Sequence, residues 1–404
     1  MAIVVQKYGG SSVATAEKIK NVAQRVGKVF DGGDQVVVVV SAMGDTTDDL
    51  IKLAGQVTSD PHPREMDVLL STGELVASTL LAMAIKNLGY KAISLSGAQA
   101  GIKTDTTYRK ARIIKIETKR ILEELEKGQI VIVAGFQGIT DDMDVTTLGR
   151  GGSDTSAVAL AAALGARSCE RLTDTDGIYS ADPRVVPEAF RLVEIGYEEM
   201  LELATYGNKV MQPRAIELAE LYNIPIRVAS SFNDNPGTLI HGGVSMEVRN
   251  KVRSVAYDMD VAKISVVGIP DKPGIAASIF VPLAKAGISV DTIVQNSSVN
   301  KIADLTFTVT KDQINDAMKV AKPIAKKLGA SNIVADSELG KVSIVGTGMQ
   351  NTPGFAAKMF DTLSNNGINI ELISTSEIRI TCIIKESKVK EAVRALHKAF
   401  EVDV

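Results

Sequence analysis

Residues Gly149–Ala166 read GRGGSDTSAVALAAALGA. Three glycines and an arginine stand at the entrance of an apolar helix. Gly149, Gly151 and Gly152 let backbone approach a ligand closely, and a helix N-terminus attracts an anion. Arg150 adds a planar fork suited to a carboxylate. Ser153 and Asp154 fall in the first turn, where Asp154 could simply complement the helix dipole. Glycines plus arginine at a helix entrance favour an anion site over a bare cap.

Four other stretches carry residues of the same kind. KYGGSS, from Lys7, is a Gly-rich turn between a strand and a helix, and its backbone N–H groups suit phosphate. It is neither GxxxxGK[ST] nor GxGxxG. A tight turn with a surface lysine would explain the same letters. Lys7 tips the balance, because it sits at the carboxyl end of a strand, where open α/β sheets place ligands. SAMGDTTDD (41–49) offers the hydroxyls of Ser41, Thr46 and Thr47, although N-capping by Thr46 or Thr47 accounts for them equally. STGE (71–74) places Gly73 inside a helix at a cost of about 1 kcal/mol relative to alanine. Glu74 is then either a solvated charge beside a packing glycine or a carboxylate that takes a substrate ammonium. In LTDTDGIYSADPR (172–184), Asp174 and Asp176 either cap a turn at Gly177 or bind metal or ribose. Lys209, in YGNKVMQPRA, stands near a helix start as a second phosphate cation.

These stretches must be positioned by the elements between them. Residues 2–6 read as a strand, and from Ala16 the apolar positions Ile19, Val22, Ala23 and Val26 fall at helical spacing. VVVVVSAMG (36–44) is the mark of a strand buried on both faces. Helices follow around 47–57 and from Arg64 to Leu88; AISLS and IVIVAGFQG are further strands, and a helix covers 153–164. The alternation continues to IPIRVAS (224–230) and predicts a parallel sheet with helices on both faces. NDNPGTLIHGGV then marks a boundary. We divide the chain into 1–240, a linker 241–262, and two modules, 263–338 and 339–404. The two modules are an internal repeat: Gly274, Gly287 and Ile293 recur as Gly354, Gly367 and Ile373. Each copy reads as βαββαβ, the ferredoxin-like order.

Composition narrows the function classes. A net charge of −3 and an aromatic share of 4% without tryptophan argue against a nucleic-acid partner. Three histidines make a His-based metal site or a His general base an unpromising reading, and we predict no resident metal site. Cys169 and Cys382 form no CxxC motif. The N-terminus has no basic region followed by a long apolar stretch, and no run of about 20 apolar residues stands out for a membrane. The expectation is a soluble cytoplasmic protein.

Six stretches in order carry a resemblance: KYGGSSVA, VVVVVSAMGDTTD, STGE, TTLGRGGSDTSAVALAAAL, TDTDGIYSADPR and STSEI. Together they resemble the aspartate kinases of the amino-acid kinase family, and the two C-terminal modules resemble ACT domains. The likeness spans essentially the whole chain. It implies an αβα sandwich followed by two ACT modules, and phosphorylation of the L-aspartate side-chain carboxylate by Mg-ATP, the opening step toward lysine, threonine and methionine. By the same resemblance Lys7 touches the transferred phosphoryl group and Asp154 holds Lys7. Gly9, Gly10 and Ser11 line the phosphate turn, and Ser41 and Thr47 contact substrate or phosphate. Glu74 takes the aspartate ammonium and Arg150 its α-carboxylate, with Gly151, Gly152 and Ser153 around it. Thr173, Asp174, Tyr179, Asp182 and Arg184 hold the nucleotide, with Lys209 on its phosphates.

The ACT pair implies feedback by lysine and/or threonine. The effector residues implied are Asp271, Gly274, Ile275, Ala276, Asp291 and Gln295 in the first copy, and Asn351, Asn369, Ile370 and Glu377 in the second. One copy could be purely structural. The family also implies a homodimer paired through ACT modules, and in some members a shorter ACT-only subunit from an internal start such as Met246 or Met259. One departure stands out: Arg171 and Leu172 replace the Ile-Tyr usual before Thr-Asp, which puts adenine-side contacts in doubt. Competing readings are a kinase of the same fold acting on another carboxylate or a carbamate, and a non-catalytic amino-acid sensor. A nicotinamide dehydrogenase is disfavoured because no GxGxxG follows the first strand.

Overall fold

A computed structural model describes residues 2–207, 210–243, 252–297, 301–349 and 352–402. The chain forms two compact units. The first comprises Met1–Tyr179, Arg191–Thr205 and Lys209–Ser245; the second comprises Ser180–Phe190, Tyr206–Asn208 and Met246–Val404.

In chain order the first unit holds β1 (Ile3–Tyr8), α1 (Ala16–Asp31), β2 (Gln35–Val40), α2 (Thr46–Val57), α3 (Pro63–Asn87), β3 (Ala92–Leu95), β4 (Ile102–Thr104), β5 (Ile113–Ile116), α4 (Lys119–Glu126), β6 (Ile130–Ala134), β7 (Gln137–Ile139), β8 (Val145–Thr147), α5 (Gly152–Ala163), β9 (Ser168–Thr173), β10 (Glu194–Ile195), α6 (Tyr197–Thr205), α7 (Pro213–Leu221), β11 (Ile226–Ser230) and β12 (Thr238–Ile240). The main sheet runs β10-β12-β11-β9-β1-β2-β6-β3, parallel throughout except for the β11–β12 pair. Its central strands are apolar on both faces because helices cover both. Val36, Val38 and Val40 of β2 and Ile130 and Ile132 of β6 pack with Val22 and Val26 of α1 and Leu81 and Ile85 of α3.

Three features differ from the sequence reading. First, β1 continues through Lys7 and Tyr8, since the ladders to β2 and β9 both extend to Tyr8. Second, IVIVAGFQG is two strands in two sheets. A side chain at Gly135 would stand 2.9 Å from Val39 Cγ1, and Phe136 takes a φ of 68°, so the chain turns there out of the main sheet. It enters a four-stranded sheet, β5-β4-β7-β8, that the sequence did not announce. Third, α3 is long and apolar enough to cross a membrane by length and composition, where no such run was expected. Half of its apolar window is buried inside the protein, Asp67 and Glu74 with it, so we read it as a core helix.

The second unit holds β13 (Ser254–Pro270), α8 (Ile275–Lys285), β14 (Ile293–Ser297), β15 (Ile302–Val309), α9 (Ile314–Lys327), β16 (Asn332–Val345), α10 (Phe355–Asn365), β17 (Leu372–Thr375), β18 (Arg379–Lys385) and α11 (Val389–Ala399). They form one antiparallel sheet, β14-β15-β13-β16-β18-β17. The repeat is visible in the backbone. Gly274 and Gly354 start α8 and α10 with φ of 91° and 109°, and Gly287 and Gly367 follow them with φ of 73° and 63°. Open space surrounds all four, so conformation rather than crowding calls for glycine.

Two expectations are corrected here. Residues 254–262, placed in the linker, are the first half of β13. The second copy is not βαββαβ in chain order: after α11 its fourth strand is Ser254–Asp258, paired with Lys341–Val345. Val255 is 1% exposed and packs with Tyr257 into the second module's core, so that half-strand requires hydrogen-bonding partners.

Candidate active site

Lys7 lies near the carboxyl end of β1, with Val39 of β2 and Arg171 of β9 as register partners on either side. Asp154 enters from the first turn of α5, which packs on β1. Lys7 Nζ is 2.5 Å from Asp154 Oδ1, and Arg171 Nε donates to Asp154 Oδ2 at 3.1 Å. Lys7 and Asp154 are buried and Arg171 nearly so. Burial holds the Lys7 ammonium below its usual range, and Arg171 adds to this against the opposing pull of Asp154. Burial alone would raise Asp154, but Arg171 and Lys7 outweigh it and hold the carboxyl low. Arg171, which departs from the family pattern, is an ion-pair partner of Asp154.

The glycines before α5 are explained by fit. Gly149 and Gly151 take φ of 79° and 69°. A Cβ on Gly151 would overlap the Gln212 side chain, and one on Gly152 would sit 2.8 Å from Leu148 Cβ. Ser153 is buried, while Arg150 is exposed and free of any ion pair among the described residues.

The turn after β1 is tied to the turn after β2. Gly44 N–H donates to Gly10 O at 3.1 Å, and a Cβ on Gly10 would stand 2.8 Å from Ala42 O. Gly9 N–H is committed to Leu172 O at 3.1 Å, and Ser11 O accepts from Lys18 Nζ at 2.9 Å. Ser41 and Thr47 are half-buried beside this junction. Neither threonine caps α2: its N-cap is Asp45, and Thr46 Oγ1 donates to Met43 O.

Glu74 of α3 is buried and accepts from Ala42 N–H at 3.1 Å through Oε1. Its Oε2 is buried without a partner among the described residues. Burial pushes its pKa up to about 7, against the lowering effect of the Ala42 N–H and of Lys7. Gly73 is a packing glycine, because a Cβ there would come within 2.8 Å of Ala42 Cβ.

One buried acid was missed. Asp67, two turns before Glu74 on α3, accepts from Arg109 N–H, Thr147 N–H and Thr147 Oγ1. It ties the loop at 109 to β8, just ahead of the Gly149–Gly152 turn. The signal was available: two acids seven residues apart on one face of an apolar helix.

A profile of the amino acid kinase family matches residues 2–230, and an ACT domain profile matches 264–322 and 342–400. The aspartokinase of Mycolicibacterium smegmatis is 50% identical over 407 residues, covering 99% of this chain and 96% of that protein. The chain belongs to the aspartokinase family. Among solved structures, E. coli aspartokinase III in complex with aspartate and ADP (R-state) is 25% identical, with a TM-score of 0.84, covering 99% of this chain and all of that one. The same enzyme in complex with lysine and aspartate (T-state) gives a TM-score of 0.76 at 25% identity, covering 98% of this chain and 99% of that one.

The remaining residues implied by family likeness fall in several places. Thr173 is buried at the end of β9 and donates to Asp174, which is exposed. Asp176 accepts from Asn233 and Asn235, and Tyr179 bridges to Arg191. Asp182 and Arg184 lie in the second unit and pair with each other, Asp182 also accepting from Tyr257. Lys209 and Asn351 lie outside the described residues. In the ACT modules Asp271, Gly274, Gln295, Asn369 and Glu377 are exposed, and Ile275, Ala276 and Ile370 half-buried. Asp291 accepts from Lys341.

Proposed function

We propose that this chain transfers the terminal phosphoryl group of Mg-ATP to the side-chain carboxylate of L-aspartate, giving 4-phospho-L-aspartate. The observation that carries this is the buried Lys7–Asp154 pair beneath the α5 N-terminus, together with the buried Glu74 Oε2 on α3, which has no partner among the described residues. The acceptor has a reference pKa near 3.9, so it arrives ionised and needs no general base. The barrier is then electrostatic. Two like unit charges 4 Å apart cost about 4 kcal/mol at an effective dielectric of 20. Lys7 and the α5 N-terminus offset that as the carboxylate approaches the phosphoryl group. Glu74 receives the aspartate ammonium, which satisfies Oε2 and restores its ionised form. Arg150, which has no ion pair among the described residues, receives the α-carboxylate. Gly9, Gly10, Ser11, Ser41, Thr47, Ser153, Thr173, Asp174 and Tyr179 contact the substrates, with Lys209 on the phosphates.

The ACT modules provide feedback by lysine and/or threonine, and pair two chains into a homodimer in the cytoplasm. A shorter ACT-only subunit would begin near Met246 or Met259. The deciding assay is ADP release with Mg-ATP and L-aspartate, with and without lysine and threonine. Turnover dependent on aspartate and reduced by either effector supports both parts. Amino-acid binding without turnover would make the chain a sensor, and turnover on a different carboxylate or a carbamate would reassign the substrate.

A further inference from the structure

Lys7, Asp154 and Arg171 form a buried cluster of two cations sharing one carboxylate. Nearby Glu170 does not balance it, being held by Gln6 Nε2 at 2.8 Å. Arg171 spends Nε on Asp154, while its Nη1 is buried with no acceptor among the described residues. Leaving a buried charged donor unpaired forfeits its hydration with nothing in return. An excess buried positive charge is costly as well. Both costs vanish if an anion completes the cluster. Arg171 is also the register partner of Lys7 on the adjacent parallel strand. Register partners point to the same face, about 4.8 Å apart. The unpaired nitrogen therefore lies beside the lysine proposed to meet the phosphoryl group.

We infer that Arg171 is a second phosphoryl-contacting cation: Asp154 holds the guanidinium, and Nη1 donates to a phosphate oxygen of bound Mg-ATP and of the phosphoryl group in transfer. This rests on the reading of Lys7–Asp154 as the phosphoryl site. An aspartate carboxylate oxygen bonds to the γ-phosphorus while the bond from that phosphorus to the β,γ-bridging oxygen breaks. The electron pair leaves on ADP, and no proton is exchanged with Arg171. A permanently charged fork suits this role, since charge spreads over the equatorial oxygens in the loose transition state.

The test is steady-state kinetics on the full chain with Arg171→Met, Arg171→Lys and Lys7→Ala. Arg171→Met should lower kcat roughly 30-fold or more, with KM for aspartate within about threefold. Millimolar methylguanidine should restore a part of that kcat, which a purely structural role would not allow. Arg171→Lys, with no fork to span Asp154 and a phosphate at once, should lose roughly tenfold in kcat. If Arg171→Met does not fold, Arg171→Lys decides alone. A folded Arg171 variant with kcat and KM for ATP close to the parent values, or a folded Arg171→Met chain that loses activity without rescue by methylguanidine, overturns the inference. Lys7→Ala separates the two readings. If it retains turnover, the phosphoryl site itself is misplaced; if it is inactive while Arg171→Met is not, only the role of Arg171 fails.

Discussion

Glu74 shows how one buried carboxyl can report on its ligand. Its pKa in the folded chain is about 7, against an ordinary value of 4.5. The native state therefore holds a proton that the unfolded chain has lost between those two values. Stability falls as pH rises through that window and levels above it, by an amount on the order of 3 kcal/mol. Glu74→Gln keeps an acceptor for Ala42 N–H but removes the titration. Its urea midpoint should match the parent near pH 4.5 and exceed it at pH 8; a constant offset between the two would show that Glu74 is not the titrating group. The same proton opposes binding of an ammonium. In the parent, kcat/KM for aspartate should fall as pH drops below about 7. Glu74→Gln should lose that limb while KM rises roughly 10–100-fold, the usual range for a charged hydrogen bond.

At the scale of elements, Gly73 decides how closely α3 lies on the turn after β2. Alanine there gains about 1 kcal/mol of helix propensity. It also drives a Cβ to within 2.8 Å of Ala42 Cβ, and overpacking of this kind costs about 1–3 kcal/mol. The second effect should win, giving a net loss near 1 kcal/mol in denaturant unfolding. KM for aspartate should rise several-fold, because the displaced turn carries the Ala42 N–H that orients Glu74. A stabilised variant with unchanged KM would show that α3 has slack. The long elements were legible because their periodicity is long: α1, α3, β2 and the glycines spaced by 80 all declare themselves locally. The sheet β5-β4-β7-β8 did not, since strands of three or four residues carry too few alternations to read. Lys7 and Glu74 could be singled out by position in strand and helix. Asp67 was marked only by its spacing from Glu74; its partners, 42 to 80 residues away, and the Arg171 partner, 17 residues away, were not legible.

At the scale of the whole molecule, the second unit is two modules that exchange strands. β13 gives its second half to the first module, pairing with β15, and its first half to the second, where Ser254–Asp258 lies along Lys341–Val345. β16 is divided in the opposite sense, its first half beside Lys263–Val267 and its second beside β18. Each module's fourth strand is therefore chain that also begins the other. A disturbance in one half-strand reaches the other module through covalent continuity. Proline at Ala256 tests this division. It forces a fixed φ and removes a backbone N–H in a buried, paired half-strand, where proline is poorly tolerated. Hydrogen exchange should show protection lost across 254–258 and 341–345 and weakened in β18. The pairing of 262–266 with 305–309 should remain protected, because the core of Ile264, Leu305 and Phe307 is separate from that of Val255, Val342 and Ile344. Equal loss across both modules would mean that the sheet opens as one cooperative block, with the shared strands its weakest seam.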